Sequence, residues 1–204
     1  MVQAMRNFLL RDIRASRILM QMEIIENLTN HLLIAMPTLK DTIFTKSVVY
    51  LYEHSPEGAM GIVINKSLQI TLGNLLQHLD ITVKDELIAA TPVLTGGPVG
   101  PEQGFVIHSP LKKNDDQRDI IITASKEILR EIGQGKGPSS FIITLGYSGW
   151  EGGQLEKEIH RNDWLIAPFN EDILFSTPIV KRWQAAAKTI GVDINNLSDQ
   201  IGHA

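Results

Sequence analysis

A serine stands between two glycines in the segment Gly146-Tyr147-Ser148-Gly149-Trp150, which follows an apolar stretch of sequence. Serine on a tight turn between a strand and a helix is typical of the nucleophile elbow of serine hydrolases. However, Trp150 stands where that elbow needs glycine, and the required base, His160, has no convincing acidic support. A hydrolase that uses Ser148 is therefore one hypothesis. A turn that needs two glycines, with Ser148 capping the next helix, is the simpler interpretation.

Two further glycine-rich segments have the composition of anion-binding loops. Residues 133–139 (GQGKGPS) run from a predicted helix into a predicted strand, the reverse of a phosphate-binding loop, so they are interpreted as a flexible connection. Gly96-Gly97-Pro98-Val99-Gly100 lacks the spacing of a dinucleotide-binding loop. Its backbone N–H groups could line a small anion-binding concavity, although a tight turn explains the same residues.

The sequence predicts no metal site and no cofactor. The six histidines are scattered along the chain, at His31, His54, His78, His108, His160 and His203. Only Glu156 and His160 form a helical i, i+4 pair of note, and a metal site needs a third ligand at a recognisable spacing. With 0 cysteines, the chain has no disulfides, thiolate metal ligands or cysteine nucleophiles.

Length and charge predict a small, soluble, cytoplasmic protein. At 204 residues, of which 43% are hydrophobic, the chain is expected to form a single domain. No apolar run approaches the roughly 18 residues of a membrane span. The first 21 residues hold four arginines and one aspartate, a net charge of +3, which leaves −4 − 3 = −7 for the rest. We predict that residues 1–21 are a disordered or non-native extension and that residues 22–204 form the domain.

The order of predicted elements indicates a mixed α/β (α+β) sheet rather than a doubly wound one, because strict alternation of strands and helices is absent. Strands are predicted at residues 31–36, 47–54, 59–65, 104–108, 119–123, 139–145 and 164–168. Helices are predicted at residues 72–79, 125–133, 152–161 and 178–190. The second and third strands should pair as an antiparallel hairpin, in which Gly61 marks a close approach or a bulge.

The aromatic residues Tyr147, Trp150 and Trp164 could form a binding surface or part of the core. Trp164 is assigned to the core, whereas Tyr147 and Trp150 are left open between the two roles. If the sheet curls, His54 should meet the loops at residues 96–99 and 146–150 at one rim. The candidate binding surface comprises Glu53, His54, Asn65, Gly96, Gly97, Pro98, Tyr147, Ser148, Trp150, Gln154 and Glu156.

Four parts of the sequence carry a resemblance to a known family: LLIAMP (32–37) with SVVYLYEH (47–54), GAMGIVIN (58–65), GGPV (96–99) and GYSGWEGGQLEKEI (146–159). In order and spacing they resemble the YqgE/AlgH family. The resemblance implies one mixed domain with a curved, barrel-like sheet flanked by helices. It implies little biochemistry, because the family is largely uncharacterised, with one branch linked to transcriptional regulation of exopolysaccharide genes.

Two departures from the family pattern bear on mechanism. Tyr52 stands where family members often have cysteine, so a redox role through that thiol cannot operate here. Ser148 stands where many members have alanine, which weakens any mechanism that requires its hydroxyl.

Residues and resemblance together favour a non-catalytic regulatory or binding protein of bacterial origin, with any effect on transcription being indirect. Its partner is expected to be an unidentified protein or small molecule, and no membrane association is expected. A direct DNA-binding regulator is the other alternative. The net charge of −4 opposes it, and Lys112-Lys113 and Lys181-Arg182 are the only adjacent basic pairs.

Overall fold

The computed structural model describes residues 27–40, 43–110, 120–194 and 197. The predicted extension at residues 1–21, the Lys112-Lys113 pair, Asp119 and His203 lie outside these described residues. Within them, no helix is both long enough and apolar enough to cross a membrane.

The described residues form nine strands and five α-helices. The strands are β1 (His31–Ala35), β2 (Val48–Ser55), β3 (Gly58–Val63), β4 (Ser67–Thr71), β5 (Pro92–Thr95), β6 (Val99–His108), β7 (Ile121–Thr123), β8 (Phe141–Glu151) and β9 (Trp164–Pro168). The α-helices are α1 (Leu72–His78), α2 (Glu86–Ala89), α3 (Lys126–Gly133), α4 (Gln154–His160) and α5 (Arg182–Thr189). A π-helix (Asp172–Ser176) and a 3-10 turn (Ile179–Lys181) precede α5.

The strands pair into a mixed sheet. Its main order is β4-β5-β8-β3-β2-β1-β9, and β6 joins β8 to β7 beside this path. The β5–β8 pair is parallel, whereas the pairs on either side of it, β4–β5 and β8–β3, are antiparallel. The mixed α/β class with flanking helices is therefore confirmed. The sheet of the described strands is open, because β4 and β9 stand at its two ends, and it does not close into a barrel.

The hairpin predicted from the second and third strands is confirmed. Strands β2 and β3 pair antiparallel, with Ser55 opposite Gly58 at the turn. A Cβ atom on Gly61 would lie 2.6 Å from Val49 Cγ1, and the register shifts just after Leu51, the residue opposite Gly61. Gly61 thus marks both a close approach of the two strands and the adjacent bulge.

The turn predicted at residues 146–150 is wrong, because this segment forms the second half of strand β8. The first half of β8 pairs with β5 and β6, and the second half runs along β3, with Ser148 opposite Gly61. A left-handed φ of 71° at Gly146 separates the halves. Glycines favour a turn locally, but β3 supplies hydrogen-bond partners from a distant part of the chain, and this pairing decides the conformation.

Several boundaries differ from the prediction because short or irregular elements have weak local patterns. No residue range is predicted from the sequence for β4, β5, α2 or the π-helix. Strand β6 begins at Val99, so the glycine-rich loop is reduced to residues 96–98. Helix α5 begins at Arg182 rather than at Pro178, because a 3-10 turn lies between them. Helix α3 has the predicted Ser125 cap, and β9 has the predicted bounds.

Apolar side chains cover both faces of the sheet. On one face, Trp183 and Ala186 of α5 join a cluster with residues of β1, β2 and β3. On the other face, Trp150 and Trp164 pack with Leu155 of α4. Helices α1 and α3 cover a third cluster, which is built on β5 and the first half of β8. These packed faces hold β8 in place from both sides.

We expect Gly97→Ala to lower the free energy of unfolding by at least ~3 kcal/mol. Gly97 has a φ of 151°, and a methyl group there would collide with the Tyr147 carbonyl oxygen and the Ser148 hydroxyl. Gly135→Ala is the matched control, because Gly135 also has a positive φ (74°) but has nothing within 4 Å of a Cβ atom. The control should lose only about 1 kcal/mol, the cost of the left-handed backbone. Urea unfolding followed by tryptophan fluorescence measures both, and equal losses would contradict the packing argument.

Candidate functional site

The loop at residues 96–98 crosses β8 in direct backbone contact. The N–H of Gly96 donates to Leu145 O (2.7 Å), and its carbonyl accepts from the N–H of Val63 (2.8 Å). A side chain on Gly96 would collide with Gly146 O, and one on Gly146 would lie 2.6 Å from Gly97 O. The contact, named here the glycine crossing (Gly96, Gly97 and Gly146), therefore requires residues without a Cβ atom. The sequence predicted that these two segments meet, but not that they meet inside the sheet.

Ser148 is an internal hydrogen-bond donor. Its side chain is fully buried, and its Oγ donates to Gly96 O at 3.2 Å. It does not cap the following helix, because the N-cap of α4 is Gly153. A serine nucleophile needs an accessible hydroxyl beside a base, and the proposed base, His160, has its Nδ1 bonded to Glu156 O at 2.7 Å. Ser148 therefore neither stands at a nucleophile elbow nor caps a helix.

His54 joins three segments of the chain. Its Nδ1 accepts from the N–H of Leu28 at 3.0 Å, and its Nε2 lies 3.0 Å from Glu156 Oε1, 102 residues away in sequence. Because Nδ1 acts as an acceptor, the ring proton of neutral His54 lies on Nε2 and is donated to Glu156. His54 is buried and Glu156 is half-buried. The sequence placed both residues in one surface, but their direct contact, which ties residue 28 and α4 to β2, was not predicted.

Glu158 is the centre of a hydrogen-bond network that the sequence analysis missed. Its Oε2 accepts from both indole N–H groups, Trp150 Nε1 and Trp164 Nε1, each at 2.9 Å, and its Oε1 accepts from Gln154 Nε2 at 2.9 Å. The Phe44 ring lies 6.2 Å from the Trp150 ring and 5.5 Å from the Trp164 ring. Both tryptophans are buried, so their polar atoms are satisfied internally. The i, i+4 spacing of Gln154 and Glu158 was the available signal for this network.

Tyr147 lies on the opposite face of β8 from Ser148 and Trp150, as the alternation of a strand requires. Its half-buried ring makes an edge contact with Phe105 at 6.1 Å. The nearby Tyr52 hydroxyl contacts Met60 Sδ at 3.5 Å. Burial raises the pKa of Tyr52 to about 12, with smaller contributions from the charges of Glu53 and Tyr147. The two tyrosines are thus neighbours on this face of the sheet.

Beside these tyrosines lie exposed residues of three elements. Glu53 is exposed on β2, Pro98 is exposed in the loop, and Val99, which pairs with Tyr147, is 40% exposed. Glu102 is exposed in the stretch of β6 where the register with β8 shifts, two residues after Gly100, whose Cβ position would lie 3.7 Å from Tyr147 Cε1. The surface formed by Tyr52, Glu53, Pro98, Val99, Glu102 and Tyr147 is named here the Tyr147 rim.

The predicted surface is therefore divided by the sheet. Glu53, Pro98 and Tyr147 belong to the Tyr147 rim. The contacts of His54, Trp150, Gln154 and Glu156 lie around α4, and Gly96, Gly97 and Ser148 lie at the glycine crossing. Asn65 is at neither place. Its side chain accepts from the N–H of Val48 (2.7 Å) and donates to Lys46 O (2.8 Å), which holds the far end of the hairpin.

Two other predicted features concern cations. Within residues 27–40, 43–110, 120–194 and 197, no three His, Asp or Glu side chains are grouped so as to hold a metal ion. In the Lys181-Arg182 pair, Arg182 is buried and donates to backbone carbonyls, so it cannot contribute to an exposed basic patch. The pair therefore gives no support to direct DNA binding.

The chain is similar to a group of bacterial proteins. The model of the family described as AlgH-like (DUF179) matches residues 32–195. A UPF0301 protein of Coxiella burnetii (strain Dugway 5J108-111) is 54% identical over 177 residues, which are 87% of this chain and 97% of that protein. A UPF0301 protein of Blochmanniella pennsylvanica (strain BPEN) is 48% identical over 186 residues, covering 87% of this chain and 96% of that protein.

Two solved structures resemble this fold. The solution structure of the AlgH protein from Pseudomonas aeruginosa has a TM-score of 0.68 and 38% identity, over 87% of this chain and 96% of that one. The crystal structure of a protein from Corynebacterium diphtheriae has a TM-score of 0.64 and 19% identity, over 85% and 92%. At that low identity, the second likeness concerns the fold alone.

We expect Glu158→Ala to lower the free energy of unfolding by about 2–4 kcal/mol, because it leaves two buried indole N–H groups without an acceptor. Glu127→Ala is the control, since Glu127 is an exposed carboxylate whose ion pair with Arg130 lies on the surface of α3. That change should cost less than ~1 kcal/mol. Urea unfolding checks both values, and a loss for Glu158→Ala no larger than the control would contradict the network.

Tyr52 should make the folded state less stable at alkaline pH. Its pKa is raised from 10.0 to about 12 in the folded protein, so the unfolded chain releases the phenol proton first. The corresponding stability is fully present below pH 10 and is lost as the pH rises towards 12. Unfolding midpoints of the native protein should therefore fall more steeply in this range than those of Tyr52→Phe. Parallel curves would show that Tyr52 does not titrate in this way.

Proposed function

The chain belongs to the AlgH-like family, and we propose that it is a non-catalytic binding protein that contacts a protein partner through the Tyr147 rim. The observation that carries the proposal is the contrast between the two faces of β8. On one face, Ser148 and Trp150 are buried and bonded internally. On the other face, Tyr147 and Val99 are partly exposed beside the carboxylates of the rim. Aromatic residues with a polar end are typical of protein interfaces.

The charge of the rim specifies the partner. Glu53 and Glu102 belong to the rim, and Glu57 and Glu151 extend it along the adjacent turn, where Gly58 pairs with Glu151. All four carboxylates are exposed, and in the described part of the chain none of them forms an ion pair with Lys or Arg. A partner with a basic segment would be attracted to this surface, whereas the phosphates of nucleic acid would be repelled.

An effect on transcription would then be indirect. An acidic rim does not suit contact with DNA, but it suits a basic segment of another protein that itself binds DNA or regulates such a protein. The hydrolase alternative loses its support, because the buried Ser148 hydroxyl is not accessible to a substrate. The protein is therefore proposed to act by binding a partner protein rather than by converting a substrate.

A photo-crosslinking amino acid at Val99 tests the proposal in cells. Val99 is 40% exposed on the rim, so the probe should form a discrete adduct with a protein partner. The same probe at Leu87, which is 83% exposed on α2, is the control for random encounters. Charge reversal by Glu53→Lys with Glu102→Lys should lower the adduct yield at least tenfold, and raising the salt concentration should also lower it, because exposed charges are screened.

Glu86→Lys with Glu127→Lys is the matched charge control. Both residues are exposed at the starts of α2 and α3, so the net charge changes equally without altering the rim. These changes should leave the Val99 adduct intact. The proposal fails if the rim reversal has no effect, if both reversals act equally, or if the Leu87 position yields the same adduct.

A further inference from the structure

Arg182 is a buried cation with no carboxylate partner among the described residues. As the first residue of α5 it is 5% exposed. Its Nε donates to Thr177 O at 3.0 Å, and its Nη1 donates to Ile64 O. No Asp or Glu of the described residues forms an ion pair with it. Because a guanidinium has five N–H groups, it can donate further hydrogen bonds besides these two.

Arg182 lies in the wall of a cavity of about 320 Å³. The apolar part of the wall consists of Pro92, Leu94, Phe141, Ile142, Phe175 and Ile179. Thr91, Ser176 and Thr177 add polar side chains to the wall. Small-molecule sites commonly have this volume and combine an apolar wall with a few fixed polar groups.

We propose that this cavity binds a small monocarboxylate, with the carboxylate on Arg182 and its apolar body against Leu94, Phe141 and Ile142. A guanidinium binds a carboxylate through two parallel hydrogen bonds, which suits the donors that remain on Arg182. One positive charge neutralises one negative charge, so a monocarboxylate is better matched than a phosphate dianion.

The burial of Arg182 supports this assignment. Burial lowers the pKa of Arg182 to about 10, so the side chain is still charged at neutral pH but pays for desolvation. A buried charge that lacks a counter-ion is destabilising, and a bound carboxylate would supply one. The site is separate from the Tyr147 rim, since Phe141 and Tyr147 stand six positions apart on β8, with the cavity at the start of the strand.

Titration of the full chain with hexanoate and benzoate, against hexanamide and benzamide, tests the site. The amides have similar shapes but no charge, so the carboxylates should bind at least tenfold more tightly. Arg182→Met should abolish this preference while keeping an apolar side chain of similar length. Arg130→Met, which removes an exposed arginine from a surface ion pair, should bind like the native protein. Ligand-observed NMR and isothermal calorimetry give the dissociation constants.

A second variant keeps the test decisive if Arg182→Met does not fold. Ile179→Trp fills the cavity from its partly exposed side and leaves Arg182 in place, so it should also lower carboxylate affinity at least tenfold. Hexyl phosphate serves as the competing anion and should bind less tightly than hexanoate. The proposal is overturned if no carboxylate binds at millimolar concentration, if the amides or hexyl phosphate bind equally well, or if Ile179→Trp binds carboxylates like the native protein. Because the rim is not involved, none of these outcomes affects the crosslinking result at Val99.

Discussion

The backbone contact at the glycine crossing allows strand β8 to change partners in the middle of its length. Gly96 bonds to both β3 and β8, through Val63 and Leu145, and so fills the place where β5 ends and β3 begins to pair with β8. The two backbones approach too closely for a Cβ atom on Gly96 or Gly146. Glycine is required here by contact as well as by φ, and without this contact β8 could not run through both halves of the sheet.

The continuous strand also explains why one short segment has two unrelated roles. Successive side chains of a strand point to opposite faces, so Tyr147 is directed to the rim while Ser148 and Trp150 are directed inward. The inward residues meet groups that satisfy them, a carbonyl for Ser148 and the Glu158 carboxylate for Trp150. The chemistry suggested by a serine between two glycines is lost for this reason, and the surface available to a partner is the aromatic and acidic face.

Polar side chains connect the helices to the sheet at points where apolar packing alone would not fix their position. His54 links β2 to α4 and to residue 28, and Glu158 links α4 to β8 and β9. On the other face, Arg182 links α5 to the end of β3 through Ile64 O. In the first two links, the polar atoms of His54 and Glu158 have hydrogen-bond partners. The third holds an uncompensated charge next to a cavity, which is why a ligand is expected there and not at the histidine.

The sequence by itself determined the elements with strong local patterns: the β2–β3 hairpin, helix α3 with its Ser125 cap, strand β9 and the mixed α/β class. It also suggested that the segments at 96–99 and 146–150 meet, but only on the condition that the sheet curls. Only the tertiary structure decided that residues 146–150 are a strand, that His54 contacts Glu156, and that Arg182 is buried beside a cavity. Each of these depends on partners far away in the chain, and no local preference encodes which distant group will satisfy a backbone amide, an imidazole or a guanidinium.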